Sequence, residues 1–216
     1  MKRYPGLVLL PFAALAAAAG AEPAARYEVR FERTWSAETH PKDFPLLAHF
    51  SPVIGVTHGA AFSLFGAGAA PTPGLEKLCE EGKHQPLDAE LGAAIAKGAA
   101  GALIETKDPL RSVPGVATAV FEVDAAHPLV DVGAMIAPSP DWCAVAAGVD
   151  LRDGDGWVSE KTVTLYAWDV GTDSATSYRA FDADQQPRGT VAPSDSPYFV
   201  AGGKPSAVGT VRFVKQ

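Results

Sequence analysis

The chain has 216 residues, 47% of them hydrophobic and 20% charged, with a formal net charge of −7. An excess of acid over base excludes a nucleic-acid binder, because neutralising phosphates needs clustered Lys and Arg. The length fits one domain with a sizeable core, and two cysteines exclude both a Cys-x-x-Cys redox motif and a thiolate zinc site.

Met1 to Ala21 has the physical form of a secretory signal peptide. Lys2 and Arg3 give the positive start, Leu7 to Ala19 the apolar run, and Ala19-Gly20-Ala21 a small-residue cleavage site before Glu22. An apolar run of roughly 13 residues falls short of the ~20 that a transmembrane helix requires. Residues 22–216 are therefore expected to be exported, to the periplasm or beyond the cell, without a membrane-spanning segment. Loss of Lys2 and Arg3 would take the charge from −7 to −9. The alanine-rich leader fits bacterial export.

Tyr27 to Thr34 alternates, with Tyr27, Val29 and Phe31 on one face and Glu28, Arg30 and Glu32 on the other, the period of a strand buried on one side. Prolines at 41, 45 and 52 forbid a long helix or a central strand between Trp35 and Pro52, so that segment is read as irregular. Val53–Val56 and Ala61–Phe65 are short apolar runs. His40, His49 and His58 could together ligate zinc in a hydrolase and leave a position open for water. Their spacing of nine residues lacks the close pair of His-Glu-x-x-His, which favours partly buried histidines bonded to backbone carbonyls.

Gly74 to Glu81 reads as a short helix, since Leu75, Leu78 and Cys79 share a face, Pro73 precedes it and Gly82 is placed to end it. Leu87, Leu91 and Ile95 repeat that face in a second short helix. Ala99 to Gly115 reads as a surface loop. Val116–Val123 and Leu129–Ile136 read as successive strands, and Thr210–Val214 as a closing strand. Cys79 and Cys143 are either two independent thiols or a disulfide, which in the chain-entropy model would add roughly 4 kcal/mol.

The densest chemistry lies between Pro138 and Ala175. Pro138-Ser139-Pro140-Asp141-Trp142 is a stiff turn, and Asp169-Val170-Gly171-Thr172-Asp173 a second acidic loop. The runs Ala144–Leu151 and Lys161–Trp168 lie between them, joined by Arg152-Asp153-Gly154-Asp155-Gly156, a strong hairpin signal. Such a hairpin returns its far ends to one edge, bringing Asp141, Asp169 and Asp173 together. Repelling carboxylates on mobile loops stay together best around a hard cation, calcium before magnesium or zinc; the alternative is a set of ordinary solvated turn aspartates. Asp153 and Asp155 lack the glutamate at the twelfth position of a calcium loop and read as a plain turn.

The motifs PSPDW, VDLRDGDGW and LYAWDVGTD resemble the signature of the spondin domain, the amino-terminal module of F-spondin and mindin. Tyr27-Glu28-Val29-Arg30-Phe31, Thr34-Trp35-Ser36, His40-Pro41, Phe44-Pro45, Ala48-His49-Phe50-Ser51-Pro52, Gly55, His58, Phe121-Glu122-Val123, His127 and Leu129-Val130 follow in the family's order. The resemblance runs from about residue 26 to 216, as in a bacterial single-domain member with residues 22–216 as its domain. It implies an all-β antiparallel β-sandwich, similar to synaptotagmin-type calcium-binding sandwiches, with one or two short helices. It further implies a bound calcium ion on Asp141, Asp169 and Asp173 and a role in extracellular adhesion. Glu122 matches a family glutamate associated with the metal or with a partner. If Val116–Val123 and Leu129–Ile136 are a tight hairpin, Glu122 lies on the order of 25 Å from Asp141, which points to a partner.

The expectation is a secreted, calcium-binding, non-catalytic recognition module. Its partner would be an extracellular or envelope protein, a glycan or an anionic lipid surface. The alternatives are a metal-assisted hydrolase using His40, His49 and His58 or the acidic cluster, and a structural envelope protein. Against an enzyme stands the lack of Gly-x-Ser-x-Gly and of His-Glu-x-x-His.

Overall fold

A computed structural model describes residues 22–216, so the leader and its cleavage site lie outside the described residues. In chain order the elements are β1 (Ala24–Arg33), β2 (His49–Phe50), β3 (Ile54–His58), α1 (Pro73–Glu81), α2 (Leu87–Ala96), β4 (Ala100–Glu105), β5 (Gly115–Asp124), β6 (Leu129–Ala137), β7 (Trp142–Asp150), β8 (Arg152–Asp153), β9 (Gly156–Trp157), β10 (Glu160–Asp169), β11 (Ala192–Pro193), β12 (Val200–Ala201), β13 (Lys204–Pro205) and β14 (Gly209–Lys215). The main strands follow the order β4-β3-β6-β7-β10-β14-β1-β5, antiparallel throughout. The path ends β4 and β5 approach one another, so the all-β sandwich is nearly closed.

One strand joins its two halves. Glu160–Leu165 of β10 pair with β14, whereas Tyr166–Asp169 leave that partner and pair with Val145–Trp142 of β7. The first half of β10 thus belongs to the β14-β1-β5 sheet and its last turn of pleat to the β4-β3-β6-β7 sheet. That switch delivers Asp169 to the start of β7.

The inward faces form the larger core. Tyr27, Val29 and Phe31 of β1 meet Phe121 of β5, Phe213 of β14 and Val130, Val132 and Ala134 of β6. β6 is buried on both faces, which explains why Leu129–Ala137 reads as a nearly continuous apolar run rather than an alternation. A second cluster covers its outer side, where Leu75, Leu78 and Cys79 of α1 and Leu87 and Leu91 of α2 pack on Ile54, Val56 and Val145. Phe65 closes down on the backbone of Gly133, where a Cβ would stand 2.5 Å from the ring.

Thr72 caps α1 by accepting from Leu75 N, and Gly82, at φ 66°, ends it in the left-handed conformation that costs glycine no Cβ clash. Cys79 of α1 and Cys143 of β7 are joined as a disulfide with Cα atoms 5.4 Å apart, closing a separation of 64 residues. Two expectations are corrected. Ala100–Glu105, read as part of a surface loop, is β4, because pairing with β3 and cover from α2 outweigh the weak strand preference of Ala-Gly-Ala. The tight hairpin on which the Glu122 distance was conditioned does not form: β5 and β6 do not pair, and residues 125–128 carry the chain from one sheet to the other. Among the described residues no helix is long and apolar enough to cross a membrane.

Candidate functional site

The β6–β7 hairpin and the switch in β10 build one acidic corner. Met135 pairs with Cys143 across the hairpin, leaving 138–141 as its connection. Ser139 Oγ accepts from Trp142 N at 3.2 Å and fixes the turn that presents Asp141. On the other side of β7, Trp142 stands opposite Asp169. Its indole Nε1 donates to Asp169 Oδ2 at 3.3 Å. The turn at Asp153–Gly156 is formed by the short β8–β9 ribbon.

Asp141 is fully buried. Its Oδ2 accepts from Thr172 N at 2.7 Å and Asp173 N at 3.2 Å, with Thr172 Oγ1 at 3.4 Å, so one carboxylate oxygen staples the two acidic loops together. Its Oδ1 is equally buried and meets no donor. Burial, followed by the charge of Asp169, pushes the Asp141 carboxyl up to about 6; the Thr172 and Asp173 amides pull the other way and the charge of Asp173 adds to the rise. Asp169 is also raised, chiefly by burial, against the pull of Gly171 N and the Trp142 indole.

Asp169 and Asp173 also make the local bonds expected of turn aspartates. Asp169 Oδ1 accepts from Gly171 N at 2.9 Å and Asp173 Oδ1 from Ala175 N at 2.7 Å. The structure thus gathers Asp141, Asp169 and Asp173 around one backbone turn. As the side chains stand, no group of three or more His, Cys, Asp or Glu among the described residues is close enough to hold a metal ion. What fits a hard cation is the oxygen-only character of the set and the buried, donorless Oδ1 of Asp141.

Behind the corner lies an aromatic bed. Trp142 packs edge-on against Tyr178 and Phe199, and against Tyr198 at a tilt, with ring centroids 5.2 to 5.9 Å away. Arg188 Nη1 donates to Thr172 O at 2.8 Å while Nη2 pairs with Glu76 of α1 at 3.0 Å and Asp184 at 2.9 Å, tying the second acidic loop to the helix.

Glu122 lies elsewhere, on the exposed outer face of β5 opposite Arg26 of β1, in the sheet half that does not carry the corner. The histidines do not converge, which removes the ligand set of the zinc alternative. His40 is buried beside Phe199 with Nδ1 against Thr39 Oγ1, and burial, only partly countered by the Ser206 backbone, lowers its pKa. His49 Nδ1 donates to the Leu47 carbonyl at 2.8 Å. His58 is buried, with Nδ1 donating to Gly59 O at 2.9 Å and Nε2 3.0 Å from Asp131 Oδ1.

That last partner was missed by the sequence reasoning. Asp131 is fully buried in β6, where its Oδ2 accepts from Leu64 N at 2.7 Å, Ser63 Oγ at 3.0 Å and Phe65 N at 3.3 Å, and its Oδ1 from Gly148 N. The available signal was a lone carboxylate within the apolar run Leu-Val-Asp-Val, which requires a buried partner.

A family model described as Spondin_N matches residues 25–200. Spondin-2 of Rattus norvegicus is 31% identical over 174 residues, 79% of this chain and 53% of the relative. Spondin-2 of Homo sapiens is 31% identical over 176 residues, 77% and 51%, and Spondin-1 of Gallus gallus 32% over 178 residues, 80% and 22%. The match therefore spans about half of the spondin-2 proteins and about a fifth of spondin-1.

Proposed function

The chain belongs to the Spondin_N family, and from that premise we propose that it is an exported, non-catalytic recognition module whose acidic corner holds calcium on Asp141, Asp169 and Asp173. The observation that carries this reading is Asp141 Oδ1, a carboxylate oxygen buried without a donor while its twin accepts from the opposite loop. A buried charge without a partner is costly, and a hard cation is the group that offsets it. Bound there, calcium would supply a compact positive charge shared by three carboxylates.

The chain's own residues do the rest. Asp141 Oδ2 holds the Thr172–Asp173 turn in register with the β6–β7 connection. Trp142 connects Asp169 to the aromatic bed, where it packs on buried Tyr178 and half-buried Tyr198, so ordering the corner orders the loops that carry these rings and the surface above them. The module works by presenting that surface outside the cytoplasm, in the periplasm or beyond the cell. Its partner there is a protein, glycan or lipid surface.

The test is a melting curve of the exported protein in calcium and in chelator. Wild type is expected to melt higher in calcium, and Asp141→Ala with Asp169→Ala to melt at one temperature in both. An undiminished calcium-dependent rise in the double variant rejects the site.

A further inference from the structure

The acidic corner is ringed by apolar side chains that the fold leaves in solvent. Phe181 is 95% exposed, Leu46 93% and Leu47 78%, whereas the other exposed large hydrophobic residues among those described lie between 39% and 54%. All three flank the same end. Leu47 shares a cleft of about 470 Å³ with Met135, Pro138 and Arg111. Ala180 and Asp182, on either side of Phe181, line a second, acidic cleft with Glu80, Pro140 and Asp173, in which Glu76 and Asp184 are paired to Arg188 and Glu81 to Lys77 and Lys83. Asp43 and Phe44 face Ser177, Tyr178 and Arg179 across a third. The two loops that bear the apolar tips therefore bracket the loops that bear Asp141 and Asp173.

Cations accompany these tips. Lys42, Arg111 and Arg179 are exposed, and among the described residues none has a carboxylate within ion-pair distance. Lys42 lies four residues before Leu46, and Arg179 two before Phe181. A folded protein partner recognises a contiguous apolar patch with a polar rim. Here the tips protrude from separate loops, with Lys42, held over the Tyr198 ring at 5.0 Å, four residues before one and Arg179 two residues before the other. That pattern suits a medium whose polarity changes over ~5–10 Å, the headgroup-to-acyl boundary of a bilayer, where anionic lipids attract the cations.

We propose that this end of the molecule is a calcium-dependent docking surface for an anionic phospholipid bilayer, with Leu46, Leu47 and Phe181 entering the interface and Lys42, Arg111 and Arg179 meeting the headgroups. The proposal rests on the calcium reading above, because the uncompensated carboxylates of the corner repel anionic headgroups and a bound cation masks them.

The experiment is co-sedimentation of the exported protein with vesicles of three parts phosphatidylcholine to one part phosphatidylglycerol, in calcium and in chelator, beside melting curves of the same samples without lipid. Wild type is expected to sediment in calcium and to stay in solution with chelator or with pure phosphatidylcholine. Phe181→Ser should weaken vesicle binding about tenfold, the scale of one apolar side chain removed from an interface, and the pair Leu46→Ser with Leu47→Ser about a hundredfold, both while keeping the calcium-dependent rise in melting temperature. A wild-type protein that shows the thermal rise but does not sediment overturns the bilayer proposal and leaves the calcium site standing. Sedimentation without any thermal rise rejects the calcium site and, with it, the calcium-dependent docking proposed here. Serine variants that sediment like wild type overturn the proposal.

Discussion

Asp131 and Asp141 are both carboxylates with no solvent exposure, one inside β6 and one in the turn that follows it, and they are partnered in opposite ways. Asp131 faces the His58 imidazole and accepts bonds at both oxygens, from Ser63, Leu64, Phe65 and Gly148. Burial raises its pKa, but the His58 charge and the amides outweigh burial and hold it below the usual carboxylate range. Asp141 has one oxygen bonded and one bare, and it is raised instead. A buried carboxylate with both oxygens bonded is an internal tie. One with an open oxygen among other carboxylates is where we propose that a cation binds. The contrast teaches that burial alone does not assign a role; the count of donors does.

The strongest way to break the comparison is to remove the tie. Asp131→Ala leaves the His58 imidazolium buried without its counter-charge and frees the Ser63–Phe65 turn, so it is expected to destabilise the fold by about 3–5 kcal/mol in chelator, measured by urea unfolding. A loss below about 1 kcal/mol would mean that the network adds little.

The pH dependence of the same pair comes next. Burial lowers the His58 pKa, but the Asp131 bond and charge with the Gly59 and Phe62 carbonyls outweigh it, and the net shift is upward. Its contribution is therefore complete below the ordinary histidine pKa and lost as pH rises through the raised one. Asp131, shifted down, contributes above the ordinary carboxylate range and loses that contribution as pH falls through its lowered pKa. Stability in chelator is expected to decline on both flanks, and His58→Gln should flatten the alkaline one. An alkaline flank unchanged by His58→Gln would assign that decline to another group.

The smallest effect is the most diagnostic in sign. Asp141→Asn keeps the acceptor that holds Thr172 and Asp173 but removes a buried charge, so in chelator its stability should match wild type within about 1 kcal/mol or exceed it. A loss as large as that of Asp131→Ala would make Asp141 a second structural tie.

Much of this architecture is legible in the residues themselves. Asp-Gly-Asp-Gly marks the turn that returns β10 to β7, Pro73 and Gly82 bracket α1, and the alternation of Tyr27, Val29 and Phe31 is kept in β1. What escapes is whatever depends on distant strands. Ala100–Glu105 becomes a strand only because β3 offers it an edge and α2 covers it. The connection after Asp124 resembles a hairpin turn, with Asp124 Oδ1 accepting from Ala126 N and His127 N, yet it leads between sheets because β3 and β7 take both edges of β6. In the acidic corner the convergence of the loops can be read from the hairpin. The open oxygen of Asp141 cannot, since it depends on which loop amides reach the carboxylate. The His58–Asp131 pair escapes because its members lie on separate strands and each reads locally as something else.

The central claim is that the Asp141 corner takes calcium, and a calorimetric titration of calcium into chelator-stripped protein tests it most directly. The account predicts a saturable heat with one ion per chain in wild type and none in Asp141→Asn, whose melting curve in chelator shows it folded. A flat titration of the wild type, or an equal heat from the folded variant, would contradict it.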